Sequence, residues 1–264
     1  MNTLTLPWRF FQSLNISGRI GLLIALFWIV MAIFGGSLAP HNVEDIGAGP
    51  LFGDISREFW FGTDYLGRDI FSRVLVGARY SIGLALTAAV LASLVGTLLA
   101  LLAAVAGRWL EEVLGRINDA MLVLPAQILA LMIVSLFVSS LPLLILTAVI
   151  TYSPGSYRIA YATASPPRAI ASVQASRLRG ESRLYVAIHD ILPNMLHPML
   201  TDFGLRFVYI VLMLSGLSFL GLGVQPPYAD WGTLVRENLQ GLFDGSPAVL
   251  MPAVAIASLT IGAN

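Results

Sequence analysis

The sequence contains no cysteine and no lysine, and it carries little charge of either sign. Of its 264 residues, 11% are charged and 57% are hydrophobic, whereas a soluble domain has about 25% charged and 45–50% apolar residues. Without cysteine there are no disulfides, thiolate metal sites or cysteine nucleophiles. The formal net charge of +0 gives no long-range attraction to anionic partners. The composition therefore excludes a soluble enzyme, a secreted disulfide-bonded domain and a nucleic-acid binder.

The hydrophobic residues are concentrated in runs that lack Asp, Glu and Arg. These runs are 20–38, 80–107, 120–157, 207–229 and 245–264. A helix needs roughly 20 apolar residues to cross a membrane core about 30 Å thick. The run 120–157 would be about 57 Å long as one helix, and Ser139-Ser140-Leu141-Pro142 at its middle is a turn signal. We therefore predict an all-α integral membrane protein with six transmembrane helices in a single domain, 1–264.

The two ends of the chain need separate consideration. Ser37-Leu38-Ala39 resembles a signal-peptide cleavage site, but the leader would be long and the rest of the chain also spans the membrane, so we predict an uncleaved first helix. The last run stops at Asn264 with no polar residues after it. Because the sixth span would then be shorter than a full crossing, we expect a C-terminal cytoplasmic tail to be missing.

The arginine distribution predicts the orientation. With the N-terminus inside, the inner segments hold ten Arg and six acidic residues, and the outer segments hold five Arg and nine acidic residues. Cytoplasmic loops are enriched in basic residues, which favours an N-in/C-in arrangement. Segment 1–19 is then cytoplasmic, 39–79 is an outer segment and 158–206 is a cytoplasmic loop. Such long connections are typical of functional segments.

The predicted spans lack the charges that a coupling-ion site would need at the membrane midplane. Asp202 and Arg206 lie four residues apart at the inner edge of span five and are expected to pair. Ser215 and Ser218 are candidates for pore lining. The chain also has no GxxxxGK[ST] nucleotide-binding motif. It is therefore either a passive channel or a subunit driven by a partner at its inner face.

The cytoplasmic loop predicts two short helices. Ser165 is a good N-cap and Pro166 suits the first helical position. Gly180 suits the end of this first helix, about 166–179, since glycine adopts positive φ without strain. A second helix over about 182–191 is expected to end near Pro193.

Two motifs in this loop resemble the "EAA" loop of bacterial ABC importer permeases. They are Gln174-Ala175-Ser176 with Gly180 four residues on, and Leu192-Pro193. The spacing matches, but Gln174 replaces Glu, Ser176 replaces Ala and Asp190 replaces Ile. Gln174 can still form hydrogen bonds but carries no charge, so it cannot make an ion pair of the kind that the Glu of the family would make.

Two further blocks resemble the second (C-type) permease of the dipeptide, oligopeptide and nickel class. One is Phe61-Gly62-Thr63-Asp64-Tyr65-Leu66-Gly67-Arg68-Asp69-Ile70, and the other is Leu217-Ser218-Phe219-Leu220-Gly221-Leu222-Gly223-Val224-Gln225-Pro226-Pro227 with Trp231-Gly232. From the residues alone, Gly62, Asp64 and Gly67 could instead shape a surface turn, and Trp231 is read as an interfacial anchor. We also interpret Asp69 and Arg73 as an i,i+4 ion pair on a helix that begins near Arg68.

That helix is expected to run into span two with a buried stripe. The stripe consists of Leu66, Ile70, Phe71, Val74 and Leu75. On this basis Phe71→Asp should impair assembly more than Asp64→Asn.

The resemblance implies an assembly and assigns roles. It implies a non-catalytic permease of the bacterial inner membrane that pairs with a homologous second permease, two ATPase subunits and an extracytoplasmic solute-binding protein. It implies no cofactor on this chain, with ATP and Mg on the ATPase subunits. The ATPase-coupling residues would be Ile170, Val173, Gln174, Ala175, Ser176, Arg177, Gly180, Leu192 and Pro193. The binding-protein docking residues of the outer segment would be Gly62, Asp64, Gly67, Arg68 and Asp69.

Two alternatives remain open. One is a permease of another ABC importer subfamily, for opines, metallophores or amino acids. The other is a secondary transporter or channel, which the absence of midplane charges disfavours.

Overall fold

The computed structural model describes residues 15–164 and 179–264, and these residues form helices joined by loops. The helices are α1 (Ile16–Leu38), α2 (Ile70–Ala106), α3 (Arg108–Val123), α4 (Ala126–Leu136), α5 (Leu141–Ala164), α6 (Arg183–Phe219), α7 (Trp231–Glu237) and α8 (Leu250–Ala263). A short 3₁₀ helix, Leu239–Leu242, follows α7. The all-helical class predicted from the sequence is confirmed for the described residues.

The long apolar helices are those of a membrane protein. By length and composition, α1, α2 and α6 can each cross a bilayer, and the pair α3 and α4, bent by 90°, would make a fourth crossing if it is one broken span. Helix α8 has 14 residues, fewer than the roughly 20 of a full crossing. The six spans and their N-in/C-in orientation therefore stay predictions.

The break expected at the middle of the run 120–157 is present, and a second break precedes it. Residues 137–140 are not helical and separate α4 from α5. The bend between α3 and α4 lies at Leu124 and Pro125, where Pro125 is the N-cap of α4. Proline cannot donate a backbone hydrogen bond and restricts the residue before it, which explains why the helix changes direction there.

The predicted end of a helix near Pro193 is wrong. Helix α6 continues from Arg183 to Phe219 and passes through Pro193. The turn before the proline, Val186–Ile191, is a π-helix, and the Leu192 N–H bonds to the Ala187 carbonyl. This wider turn accommodates the missing donor and the ring of proline, which would break a regular α-helix.

The charge-free run 207–229 contains both the end of a helix and a loop. Helix α6 ends at Phe219, and the next turn has Gly221 at φ +85°. A left-handed glycine is a common helix terminator. The loop that follows leads to Asp230, the N-cap of α7.

The chain divides into two compact units. One contains residues 15–83 and 214–264 of the described chain, and the other contains Leu84–Met213. In the first unit the Trp28 ring packs edge-on against Trp231, with centroids 4.7 Å apart. The second unit has a core of buried side chains from α2, α5 and α6, among them Leu101, Ala160, Ile191 and Met195.

Candidate functional site

Most of the predicted ATPase-coupling residues lie outside the described residues. These are Ile170, Val173, Gln174, Ala175, Ser176 and Arg177. Gly180 has φ +82°, and a Cβ placed there would meet nothing within 4 Å. Leu192 packs against the core of its unit, whereas Pro193 is exposed. Gly180, Leu192 and Pro193 are the predicted coupling residues that lie within the described part of the chain.

Asp64 is the centre of the outer segment. Its side chain is fully buried, and Oδ1 accepts the backbone N–H groups of Leu66 and Arg68 at 2.8 and 2.9 Å. Its Oδ2 accepts Arg68 Nε at 2.7 Å and Arg73 Nη1 at 2.6 Å. A buried carboxylate is stable only when it is paired and hydrogen-bonded in this way. Asp64 therefore organises the loop from inside.

Glycine is required at two positions of this loop. Gly62 and Gly67 have φ +73° and +71°, and a Cβ on either would overlap a backbone carbonyl oxygen, of Gly53 and Gly49 respectively. The left-handed region is costly for other residues. The surface-turn interpretation of these glycines fits this geometry, and their predicted docking role stays a prediction.

Arg73 connects the outer segment to α7. Besides Asp64, its guanidinium donates from Nη2 to Glu237 Oε2 at 3.0 Å. The Tyr65 backbone N–H adds a second link by donating to Asn238 Oδ1 at 3.2 Å. Sequence reasoning missed Glu237 and Asn238, because they lie more than 160 positions from their partners and no local pattern marks them.

The predicted Asp69–Arg73 ion pair is wrong. Asp69 instead caps the N-terminus of α2, where its Oδ2 accepts the Ser72 N–H at 3.1 Å and the Ser72 hydroxyl at 2.5 Å. His41 Nδ1 also lies 3.3 Å from the same oxygen. A carboxylate at a helix N-terminus accepts hydrogen bonds from free N–H groups and interacts favourably with the positive end of the helix dipole. Capping therefore takes precedence over an i,i+4 pair.

The predicted buried stripe is correct in part. Ile70, Val74 and Leu75 are buried, whereas Leu66 and Phe71 are half-buried. Phe71 contacts Trp60 and Phe61, with ring centroids 5.2 and 5.3 Å away. Asp64 is fully buried and Phe71 is not, so the predicted ranking of Phe71→Asp over Asp64→Asn lacks structural support.

Trp231 is a core residue, and the interfacial-anchor interpretation is wrong. Its side chain is fully buried and Nε1–H donates to the Val74 carbonyl at 2.9 Å. Its backbone N–H donates to Ser81 Oγ at 2.9 Å. Gly232 packs against the Ser215 backbone, and a Cβ at 232 would overlap the Ser215 carbonyl oxygen. This dipeptide therefore fixes α7 in its unit.

The two serines proposed for pore lining are also buried. Ser218 Oγ donates to Asp230 Oδ2 at 2.8 Å, and Asp230 Oδ1 accepts the Thr233 N–H at 3.0 Å as the N-cap of α7. Burial raises the pKa of Asp230, and the hydrogen bonds from Thr233 and Ser218 oppose this shift. Ser218 serves in a cap, and pore lining by Ser215 and Ser218 stays a prediction.

The predicted Asp202–Arg206 pair is confirmed, with Arg206 Nε 3.1 Å from Asp202 Oδ1. The structure adds two residues of α5 to it. Ser156 Oγ donates to Asp202 Oδ2 at 2.8 Å, and a Cβ at Gly155 would overlap the Arg206 guanidinium. A glycine beside a partly buried arginine carries no periodic signal, so the sequence did not indicate it.

The described residues contain no group of three or more His, Asp or Glu side chains that would hold a metal ion. The hydrogen bonds of the polar clusters join segments of the chain or cap helices. Such an arrangement stabilises a membrane-embedded scaffold.

Comparison with known proteins identifies the family. Residues 96–264 match the family described as binding-protein-dependent transport system inner membrane component. The chain belongs to this family. It is accordingly a multi-pass protein of the inner membrane and a permease component of an ABC transport system, as the three motifs indicated.

Several relatives match most of the chain. It is 33% identical to a dipeptide transport system permease protein of Alkalihalophilus pseudofirmus, over 98% of this chain and 86% of that protein. A probable D,D-dipeptide transport system permease protein of Escherichia coli is 34% identical, over 91% and 81%. A glutathione transport system permease protein of Escherichia coli is 31% identical, over 97% and 85%. These matches agree with the dipeptide class expected from the residues.

Proposed function

We propose that this permease forms half of the translocation pore of an ATP-driven importer for peptides or peptide-like solutes. The observation that carries the proposal is the similarity along nearly the whole chain to dipeptide and glutathione permeases. The family match to binding-protein-dependent systems supports an importer that receives its solute from a binding protein.

The partners follow from the same proposal. A homologous second permease completes the pore, two ATPase subunits supply energy, and an extracytoplasmic binding protein delivers solute. ATP and Mg²⁺ bind to the ATPase subunits and this chain holds no cofactor. The loop around residues 166–193 contacts an ATPase subunit and transmits its movement, and Gly62, Asp64, Gly67, Arg68 and Asp69 support the surface that receives the binding protein.

The buried charge network of the outer segment supports a docking platform that keeps its shape. Asp64 and Arg73 are almost completely excluded from water and join the segment to α7 through Glu237. Binding surfaces on loops work best when a rigid scaffold positions them.

Reconstitution tests the proposal. The permease, its partner permease, the ATPase subunits and the binding protein encoded with them are assembled in proteoliposomes, and uptake of labelled dipeptides is measured with internal or external ATP. We expect uptake that requires ATP on the ATPase side and ATP hydrolysis stimulated by the loaded binding protein. Uptake driven by a proton or sodium gradient without ATP would favour the secondary-transporter alternative and contradict the proposal.

A further inference from the structure

A cavity of about 470 Å³ opens beside the outer segment, within the unit formed by residues 15–83 and 214–264. Its volume falls within the range of small-molecule sites, roughly 300–1,000 Å³. Its wall includes charged side chains of the outer segment and of α7, together with three tyrosines. Two of the sequence motifs contribute to the wall, through Tyr65, Leu66 and Arg68 of the first and Pro226 and Pro227 of the second.

The arginines in the wall are already neutralised. Arg68 and Arg73 share Asp64 Oδ2, and Arg73 Nη2 also donates to Glu237 Oε2 at 3.0 Å. Arg68 Nη2 lies 3.6 Å from the same Glu237 oxygen. Two cations therefore face two anions, and Arg68 Nη2 is buried without a hydrogen bond of its own. Such a network gives the cavity a fixed wall but no excess positive charge for an anionic ligand.

Glu44 is the unbalanced charge in the wall. Its backbone N–H donates to Asn42 Oδ1 at 3.2 Å, and within the described residues its carboxylate has no ion-pair partner. The cavity thus carries one net negative charge from its lining and the buried Asp64 taken together. Such a site attracts a cation.

The tyrosines of the wall are suited to a cation as well. Tyr80 and Tyr228 pack with ring centroids 4.9 Å apart and planes tilted by 31°. Tyr65 already has the Arg68 guanidinium 5.2 Å from its ring centroid. The face of an aromatic ring attracts ammonium and guanidinium groups. Tyr80 and Tyr228 offer such surfaces on the same cavity as Glu44.

We propose that this cavity is a subsite for an ammonium group. The inference rests on the peptide-import function proposed above, in which case the ligand is the free amino terminus of a transported peptide. Glu44 supplies the opposite charge, Tyr80 and Tyr228 supply aromatic surface, and the volume accommodates a residue or two of the peptide behind the ammonium group.

Direct binding tests this subsite separately from transport. The permease complex is placed in nanodiscs without binding protein or ATP and titrated with L-alanyl-L-alanine or its N-acetyl derivative, with saturation-transfer NMR as readout. We expect the free dipeptide to bind and the acetylated one to bind markedly more weakly. Glu44→Gln should weaken binding of the free dipeptide roughly threefold, as expected for an accessible ion pair.

Glu58→Gln is the matched control. Glu58 is an exposed acid of the same outer segment that does not line the cavity, so its loss should leave dipeptide affinity unchanged. Tyr228→Leu, at a half-exposed ring, should weaken binding about two- to fivefold, the range of a cation–π contact.

Four results would overturn the proposal. Three concern dipeptide affinity: equal affinity for the free and acetylated dipeptide, unchanged affinity in Glu44→Gln, or an equal loss of affinity in Glu58→Gln. The fourth is a loss of binding-protein-stimulated ATPase activity in Glu44→Gln while its dipeptide affinity is unchanged. The last result would assign the cavity to a cationic side chain of the docking protein. If ATP-driven uptake fails while the permease still binds the free dipeptide in preference to the acetylated one, the proposed function is refuted and the subsite is supported.

Discussion

At the residue scale, buried carboxylates determine how this permease holds its loops and helices together. Asp64, Asp202 and Asp230 are each at most 3% exposed, and each accepts several hydrogen bonds. Burying a carboxylate is costly unless its partners are all present. Each one therefore fixes the positions of the groups around it, and each is a sensitive place to test the fold.

Asp64→Asn should destabilise the permease by about 3 kcal/mol, because it leaves Arg68 and Arg73 buried without their shared anion. The measurement is a melting temperature. Samples of the detergent-solubilised chain are heated to a series of temperatures, and size-exclusion chromatography shows how much folded protein remains in each. Asp54→Asn, at an exposed acid of the same segment, is the control and should match the wild type. Equal melting temperatures for the two variants would show that the Asp64 network contributes little.

Asp230 gives a pH-dependent prediction. Because burial raises its pKa in the folded state above the ordinary value of 3.8, folding favours the protonated form. Stability from this group is then greatest at low pH and declines as pH rises from the ordinary pKa to the raised one. Asp230→Asn should remove this decline, whereas Asp230→Ala should lose the cap of α7, about 1 kcal/mol.

Melting temperatures of the wild type and both variants, measured between acidic and neutral pH, check this prediction. As pH rises, the melting temperature of the wild type should fall relative to that of Asp230→Asn. A constant difference would mean that the carboxyl keeps an ordinary pKa.

At the element scale, close approach between helices is set by small residues. In the unit Leu84–Met213, Gly96 of α2 faces Ser156 and Tyr157 of α5, and a Cβ at 96 would lie 2.7 Å from the Ser156 Cβ. Gly155 similarly leaves room for the guanidinium of Arg206 on α6. In a membrane the hydrophobic effect does not drive helices together, because lipid tails are as apolar as the side chains. Small residues allow the close van der Waals packing that drives association instead.

Gly155→Ala should displace Arg206 from Asp202 and destabilise the permease by roughly 1–3 kcal/mol, as overpacking does. Gly36→Ala is the control, because a Cβ at Gly36 of α1 meets nothing within 4 Å. The thermal-unfolding assay used for Asp64 compares the two. A stable Gly155→Ala variant would show that Arg206 can move aside without cost.

Gly180 tests the coupling role proposed for the cytoplasmic loop. Its φ of +82° with open space around it means that Gly180→Val strains the backbone, by of order 1 kcal/mol, without a steric clash. The variant should insert and fold, yet ATPase activity stimulated by the loaded binding protein and uptake should both fall. Gly115→Val in α3, where a Cβ also meets nothing within 4 Å, is the control. Near-normal values for both variants would count against coupling through this loop.

At the scale of the whole molecule, the arrangement in the membrane follows from the pattern of arginine and from helix length. Among residues 15–164 and 179–264, three helices are long and apolar enough to cross, and a bent pair offers a fourth. The prediction of six spans with both termini inside extends beyond these, because it includes α5 and α8. The natural absence of cysteine makes this arrangement accessible to a direct measurement.

Single cysteines introduced at Glu58 and at Trp109 should report opposite sides of the membrane. Both positions are exposed, and the cysteine-free chain gives no background. In intact spheroplasts a membrane-impermeant maleimide should label Glu58→Cys and not Trp109→Cys, and lysis should expose the second. Labelling of Trp109→Cys alone before lysis would invert the predicted orientation.

The sequence by itself determined the class of this protein, its family and its break points. Charge-free runs indicated the apolar helices, the turn signal at 139–142 marked a real break, and motifs such as Gly67-Arg68-Asp69 indicated the permease class. These inferences succeed because composition, helix propensity and backbone restrictions act locally.

Only the tertiary structure decided the partners of the polar residues. Arg73 selects Asp64 and Glu237 over its i,i+4 neighbour Asp69, and Trp231 lies in the core instead of at an interface. Helix α6 passes through Pro193 because a π-turn accommodates it. Each outcome depends on groups far apart in the chain that compete for the same donor, acceptor or space, and this competition is resolved only when the helices pack.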